Sequence, residues 1–338
     1  MARKPQIYND PDARLGPYDS APAEPWFEPD LTEEDAFASP LPQADRRPLL
    51  VVADWLAAQG ALAAELADLV VLYGALKQRL RTGPPGWRHR LALREAADLS
   101  WAVGDRIPVG QLALWEGLRL SGVQADAPGL ARASWALRRL VSGMGPGFAA
   151  FFGRQGGQED MATLSGLAAD LDPLHPVTRA VALGQIWQRA GQVEPARQIE
   201  AAVLTACLAA GMARSAPAAP RGFVPQAVAI GGGGAPAATL AAWLRGATAA
   251  TQGALSHLDR VLAWQARAAL ALADLQGRTP ALLLAVLVEW PMVTSGLAER
   301  LTAANKATVL RNLDLMQARG LLREVTGQGR YRVWTAAI

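Results

Sequence analysis

The chain has 338 residues, of which 51% are hydrophobic and 19% charged, and its formal net charge at pH 7 is +3. Alanine and leucine dominate, and β-branched residues are sparse before the last strands, so the composition predicts a mostly α protein and excludes most nucleotide-binding folds built on a parallel sheet. The single cysteine and three widely separated histidines lack metal-ligand spacing, so we expect no disulfide, metal or cofactor.

Residues 1–48 form an acidic, proline-rich leader with ten Asp or Glu against five Lys or Arg. It offers little surface to bury, which predicts an extended or disordered segment that either packs locally or docks on a partner through its aromatic residues. It lacks the apolar core of a signal peptide, and no later apolar run reaches the roughly 18 residues of a membrane span. We therefore expect a cytoplasmic protein with no membrane partner.

Residues 49–213 are predicted to form a multi-helical body. Apolar residues recur at helical spacing in five further stretches after a first one at 48–81, namely 91–103, 109–120, 130–140, 177–189 and 195–212. The body's tryptophans fall mostly at inward-looking positions of these helices, so core packing explains Trp55, Trp101, Trp115 and Trp135.

Residues 214–238 are rich in proline and glycine and are predicted to be a linker. Four consecutive glycines occur at 231–234, but no strand precedes them and no GxxxxGK[ST] motif is present, so a phosphate cradle is not expected. Connecting helices follow within 239–279, at about Thr239 to Leu244 and Ala249 to Leu275.

Residues 280–338 have the element order of a winged helix-turn-helix with a small β-hairpin. Pro291 should end an apolar helix near Glu289. A short helix follows from about Ser295 to Leu301, capped by Thr294 or Ser295 and with Leu297 and Leu301 on its buried face. Residues 302–305 then make a sharp turn.

A longer helix is predicted from about Lys306 to Arg319, with Asn305 as its N-cap and Gly320 as the left-handed residue that ends it. Its buried stripe should be Val309, Leu313, Met316 and Leu321. Strands at 322–325 and 331–334 then flank a turn that contains two glycines, which forms the wing.

The residues left on the other faces of this domain predict contact with double-stranded DNA. From residue 280 onward, seven Lys or Arg stand against four Asp or Glu. At the start of the longer helix, the major groove should meet Lys306, Thr308, Arg311 and Asn312. In the wing, the adjacent backbone or minor groove should meet Gln328, Arg330 and Arg332. A homodimer would read paired half-sites about one DNA turn, or a multiple, apart.

Three stretches carry a resemblance to known proteins. The ending EWPMVTSGLAERLTAANKATVLRNLDLMQARGLLREVTGQGRYRVW is preceded by HLDRVLAWQARA and by an LHPVTRA segment. From His175 onward the chain resembles uncharacterised alphaproteobacterial proteins of the rhizobial plasmid type, which join a helical domain of unknown function to a C-terminal helix-turn-helix DNA-binding domain. The resemblance implies a DNA-binding protein that uses the helix from Lys306 and the wing at 327–332, and it brings no catalytic residues.

The layout is also similar to that of Fic-type proteins, in which a helical domain can precede a similar winged helix. Their AMP-transferring site needs a histidine followed by a glycine-rich loop that ends in arginine and holds phosphates. Here His175 and Pro176 are followed by Val177-Thr178-Arg179, with no GNGR sequence. The similarity therefore implies a degenerate protein without transferase activity, in which His175 and Arg179 are the first residues to test.

Three functions remain open on the sequence alone. The first is a DNA-binding transcriptional regulator whose helical body dimerises or senses a partner. The second is an interaction scaffold whose winged helix docks another protein, which an exposed apolar recognition face would favour. The third is an enzyme acting through the helical body, for which the sequence offers no paired carboxylates, no Ser-His or Cys-His arrangement and no metal cluster.

Overall fold

The computed structural model describes residues 51–117, 126–145, 147–153, 158–189, 195–212, 222–226, 234–327 and 332–338. These residues belong to one compact unit, Leu49–Ile338. Thirteen α-helices and three short strands occur in this part of the chain, which confirms the prediction of a mostly α protein. The leader at 1–48, the glycines at 231–233, and Gln328 and Arg330 of the predicted wing lie outside the described residues.

The helical body contains nine helices in its described part. They are α1 (Val52–Ala61), α2 (Ala63–Thr82), α3 (Gly86–Ala102), α4 (Val109–Glu116), α5 (Ala127–Ser142), α6 (Phe148–Phe152), α7 (Gln158–Asp170), α8 (Pro176–Arg189) and α9 (Pro195–Ala209). Sequence reasoning missed α6 and α7, because the glycines around them indicated a loop. Within the described residues, no single helix is both long and apolar enough to cross a membrane, and α1 and α2 meet that criterion only as a pair bent by 76°.

Helices α8 and α9 form the centre of the core. Gly184 on α8 allows α9 to approach closely, because a Cβ atom at this position would overlap Thr205 Oγ1. Beside this contact, the rings of Phe152 and Trp187 stack with centroids 4.4 Å apart. Trp101 is an exception to the predicted inward-facing tryptophans, since 55% of its surface is exposed.

A single 36-residue helix, α10 (Pro236–Ala271), replaces the two connecting helices that the sequence predicts. Its buried residues recur along its whole length, from Leu240 through Ala247 and Ala254 to Ala268. The helix packs against α1 and α2. Continuous packing therefore outweighs the small helix-breaking preference of the glycines within it, which is about 1 kcal/mol each.

The remaining elements form the C-terminal region, which we define as three helices and a three-stranded antiparallel sheet. They are α11 (Thr279–Glu289), β1 (Val293–Thr294), α12 (Ser295–Thr302), α13 (Lys306–Ala318), β2 (Leu322–Glu324) and β3 (Val333–Ala336). Strand β3 lies between the other two, with Val293 opposite Trp334 and Leu322 opposite Ala336. Strand β1 has only two residues and carries no sequence pattern that would have predicted it.

Local interactions set the helix starts and ends of this region where the sequence predicts them. Trp290 is extended ahead of Pro291. Thr294 Oγ1 accepts a hydrogen bond from the Leu297 amide at 3.1 Å, and Asn305 Oδ1 accepts one from the Thr308 amide at 2.9 Å. Gly320 has a φ of +70°, and the amide after it donates to Met316 O at 3.0 Å.

The C-terminal region is fastened to the body through the first turn of α3. The Gly86 amide donates to Glu289 Oε1 at 3.1 Å, and Trp87 Nε1 donates to Val288 O at 3.1 Å. The buried guanidinium of Arg90 donates to Leu287 O at 2.8 Å and to Val288 O at 3.2 Å. Since the last carbonyls of a helix lack partners within it, α3 supplies the donors that α11 needs.

Candidate nucleic-acid interface

The first two turns of α13 carry two cationic side chains that form no ion pair with another described residue. Lys306 and Arg311 are both exposed, and neither side chain has an ion-pair or hydrogen-bond partner among the described residues. Between them, Thr308 is half-buried and its amide is held by the cap residue Asn305. The structure thus brings Lys306 and Arg311 to one end of one helix, as the sequence predicts.

Asn312 does not lie on the outward side of α13, and that prediction is wrong. Only 9% of its surface is exposed, and its Nδ2 donates to Thr308 O at 2.8 Å. It belongs to the buried stripe together with Val309, Leu313 and Met316. Because the side chain is buried and its amide is turned toward the helix's own backbone, it is not placed to meet an adenine edge.

Arg332 is also placed differently from the free wing cation that the sequence predicts. Its guanidinium donates to Asp314 Oδ1 at 2.7 Å and to Gln317 Oε1 at 3.1 Å, and it lies 4.7 Å from the centre of the Trp334 ring. Trp334 Nε1 donates to the same Gln317 oxygen at 3.1 Å. Arg332 therefore ties the sheet to α13.

The buried face of α12 is shifted by one residue from the prediction. Ala298 and Thr302 are the buried pair, and Thr302 Oγ1 donates to Ala298 O at 2.7 Å. Leu301 is 47% exposed, contrary to the prediction that it packs inward. The Thr294 cap sets where the helix starts, but which residues then face the core depends on the packing of α12 against α11 and α13.

Two further cations of the C-terminal region, which the sequence analysis did not single out, are also exposed. Arg300 is exposed near the end of α12, and Arg323 is exposed on β2. Neither has a side-chain partner among the described residues. A sequence signal for Arg323 existed, because alternation along β2 places it on the face opposite the buried Leu322.

Two of the nearby carboxylates are engaged within the chain. Asp314 is paired with Arg332, and Glu324 accepts hydrogen bonds from the amides of Thr326 at 2.7 Å and Gly327 at 3.0 Å. Burial acts to raise the pKa of Glu324, but the hydrogen bonds from Thr326 and Gly327 outweigh it and hold that pKa below its usual value. These acids therefore shape the start of the hairpin and leave the nearby cations without a partner.

The two residues singled out for comparison with Fic-type sites make local contacts at the start of α8. The Val177 amide donates to His175 Nδ1 at 3.2 Å, and Arg179 Nη1 donates to Asp172 Oδ1 at 2.5 Å. Burial lowers the pKa of His175, so its ring is neutral at pH 7 and accepts that bond. His175 thus acts as a cap of α8 in the described structure.

Comparisons with known proteins leave the family of this chain open. No protein-family model matches the chain, and no curated protein matches it. What can be said about function therefore rests on the positions of the side chains described above.

Proposed function

We propose that the C-terminal region is a winged helix-turn-helix that binds double-stranded DNA, and that the protein is a transcriptional regulator. In this proposal α12, the turn after it and α13 are the helix-turn-helix, and β2 and β3 are the base of the wing. The observation that carries the proposal is the exposure of Lys306 and Arg311, both without partners among the described residues, at the start of α13.

The shape of α13 supports this role. A helix of 13 residues is about 20 Å long, and the major groove, about 12 Å wide, admits one such helix. Ala307 is exposed one turn before Arg311, and its small side chain lets the helix backbone come close to a groove. Arg311 then supplies a planar fork of donors for a guanine edge or a phosphate, and Lys306 a point charge for phosphate.

Arg332 has a supporting role in this proposal. Its bonds to Asp314 and Gln317 hold β3 against α13, so that helix and wing meet DNA in a fixed relative position. Arg300 on α12 and Arg323 on β2 would add phosphate contacts. The predicted contacts of Gln328 and Arg330 belong to the same proposal.

Fluorescence anisotropy with mixed genomic DNA fragments across a salt series tests the proposal on the full chain. The Lys306→Ala/Arg311→Ala double variant should lose about tenfold or more in affinity, and the slope of log affinity against log salt should fall by about two, since each lost phosphate contact removes about one. The matched control is Arg267→Ala/Arg278→Ala, which removes two exposed cations elsewhere and should bind like the parent. Absence of binding by the parent at low salt would overturn the proposal.

Exposed apolar side chains at the same place favour a protein partner as the second candidate. Leu301 is 47% exposed beside the turn between α12 and α13, and Leu310 and Leu315 are half-buried on α13. A parent protein that ignores DNA but self-associates with rising concentration in sedimentation experiments, and a Leu301→Asp variant that remains monomeric, would favour this candidate over the first.

A further inference from the structure

We infer that a cleft between α4 and the C-terminal region binds a small molecule with an apolar body and one anionic group. The cleft has a volume of about 260 Å³. Helix α4 lines one side through Ala113 and Leu114, and the C-terminal region lines the other through Met292, Leu297 and Val333. None of the described lining residues belongs to α13, the helix that carries Lys306 and Arg311.

Apolar surface around the cleft is left uncovered by the described chain. Ala113, Leu114, Met292 and Leu297 all line the cleft and are all half-buried. The two walls are close, since a Cβ atom at Gly110 on α4 would lie 3.6 Å from Met292 Cε. A ligand that covers these four side chains gains the free energy of removing apolar surface from water.

The polar groups at the cleft select an anion. Among the described residues that line the cleft, Arg300 is the only charged one, and its guanidinium has no partner in that part of the chain. Thr294 also lines the cleft, and although its oxygen accepts from the Leu297 amide, its hydroxyl hydrogen remains free to donate. Two donors beside an apolar wall suit one carboxylate, which takes charge-assisted hydrogen bonds from arginine.

The volume limits the size of the ligand. If each non-hydrogen atom needs up to the roughly 30 Å³ that one water molecule occupies in the liquid, the cleft of about 260 Å³ holds about nine such atoms or slightly more. An aromatic or short-chain carboxylic acid meets this limit, whereas a nucleotide exceeds it. The ligand class is therefore a small apolar carboxylate.

A ligand in the cleft would restrain the position of α12 and so affect DNA binding, and this part of the inference rests on the proposed function. The ligand would contact the body through Leu114 and α12 through Leu297 and Arg300, so it would fix the position of α12 relative to α4. It would also occupy the guanidinium of Arg300 that is otherwise available to a DNA phosphate. A bound carboxylate should accordingly weaken DNA binding.

Isothermal titration calorimetry of the full chain with salicylate and octanoate, in the absence of DNA, tests the site. At least one of the two acids should bind, and for salicylate the neutral control is salicylamide, which has a similar shape and should bind about tenfold more weakly or less. Arg300→Gln should reduce the affinity for the acids by about tenfold, whereas Arg323→Gln, which removes an exposed cation from β2, should leave it unchanged. Leu114→Trp should abolish binding by filling the cleft.

Controls separate a loss of ligand binding from unfolding of the variant. Arg300 is exposed, so its replacement leaves the core intact, and the thermal midpoint of each variant reports whether it folds. No heat from either acid up to about 10 mM, or equal affinity of parent and Arg300→Gln for every acid that binds, would overturn the site. If an acid binds but the parent ignores DNA, the site stands and the proposed function fails. If DNA binds and neither acid does, the reverse holds.

Discussion

Two of the seams between the C-terminal region and the rest of the described chain are built from opposite chemistry. The clamp seam is the contact of Gly86, Trp87 and Arg90 on α3 with the last turn of α11. The cleft seam is the cleft that α4 lines together with Met292, Leu297 and Arg300. At the clamp seam polar donors meet backbone carbonyls and a carboxylate, whereas at the cleft seam half-buried apolar side chains lie beside an exposed arginine with no partner among the described residues.

The difference shows how to separate an arginine that holds a fold together from one that can bind something else. Arg90 is 2% exposed and its guanidinium bonds two backbone carbonyls. Burial, helped by the charge of Arg94, lowers the pKa of Arg90 to about 10, so the side chain is still protonated at neutral pH. Arg300 has neither the burial nor the partners, so its hydrogen-bonding capacity is available to a ligand.

The largest effect is expected from breaking the clamp seam at its buried charge. Arg90→Ala leaves the carbonyls of Leu287 and Val288 without these donors and opens a cavity, so the free energy of unfolding should fall by about 3 kcal/mol. Urea unfolding of the full chain measures this, with Arg267→Ala on the exposed side of α10 as the control, expected within about 0.5 kcal/mol of the parent. Equal losses in the two variants would remove the distinction between buried and exposed arginines.

A pair of glycine substitutions contrasts the two seams directly. A Cβ atom at Gly86 would lie 2.5 Å from Glu289 Cγ and 2.9 Å from Glu289 O, whereas one at Gly110 would meet only Met292 Cε, at 3.6 Å. Gly86→Ala should therefore cost about 2 kcal/mol by forcing α3 and α11 apart. Gly110→Ala, in a helix and in ordinary van der Waals contact, should be neutral or stabilising by up to about 1 kcal/mol. Thermal unfolding of both variants decides whether the clamp seam is the tighter one.

The smallest of these effects is a pH dependence of the free energy of unfolding, which arises from His257 beside Arg94 of α3. Arg94 Nη1 lies 2.9 Å from His257 Nδ1, and burial, together with the charges of Arg94, Arg90 and Arg260, lowers the pKa of His257 to about 3. The ring is thus neutral when folded but protonated below about pH 6.5 when unfolded, so stability present above that pH is lost as the pH falls.

When the pH falls from 7 to 5.5, protonation of this histidine in the unfolded state should lower the free energy of unfolding by about 1 kcal/mol. His257→Gln should remove that share of the pH dependence in urea titrations at the two pH values. Burial also lowers the pKa of His89 and of His175, so a smaller loss of the same sign should persist in the variant. A variant with the full slope of the parent would show that His257 does not titrate as its surroundings indicate.

Sequence reasoning succeeded at the helix ends of the C-terminal region, where a residue acts on the backbone beside it. Pro291 ends α11, Thr294 and Asn305 cap α12 and α13, and Gly320 ends α13 with a left-handed φ. These outcomes depend on groups within about four positions along the chain, so local stereochemistry suffices. The exposure of Lys306 and Arg311 followed in the same way from the helical spacing of the apolar residues around them.

Only the tertiary structure decided which polar side chains were already engaged. Arg332 and Arg311 look alike in the sequence, but the fold brings Asp314 and Gln317 to Arg332 and no described partner to Arg311. The clamp seam joins residues about 200 positions apart, such as Trp87 and Val288, which are separated by 201 positions. Helix periodicity predicts which face of a helix is buried, but it does not predict which element packs on that face. Both seams and the continuity of α10 as one helix therefore depend on how the helices pack together.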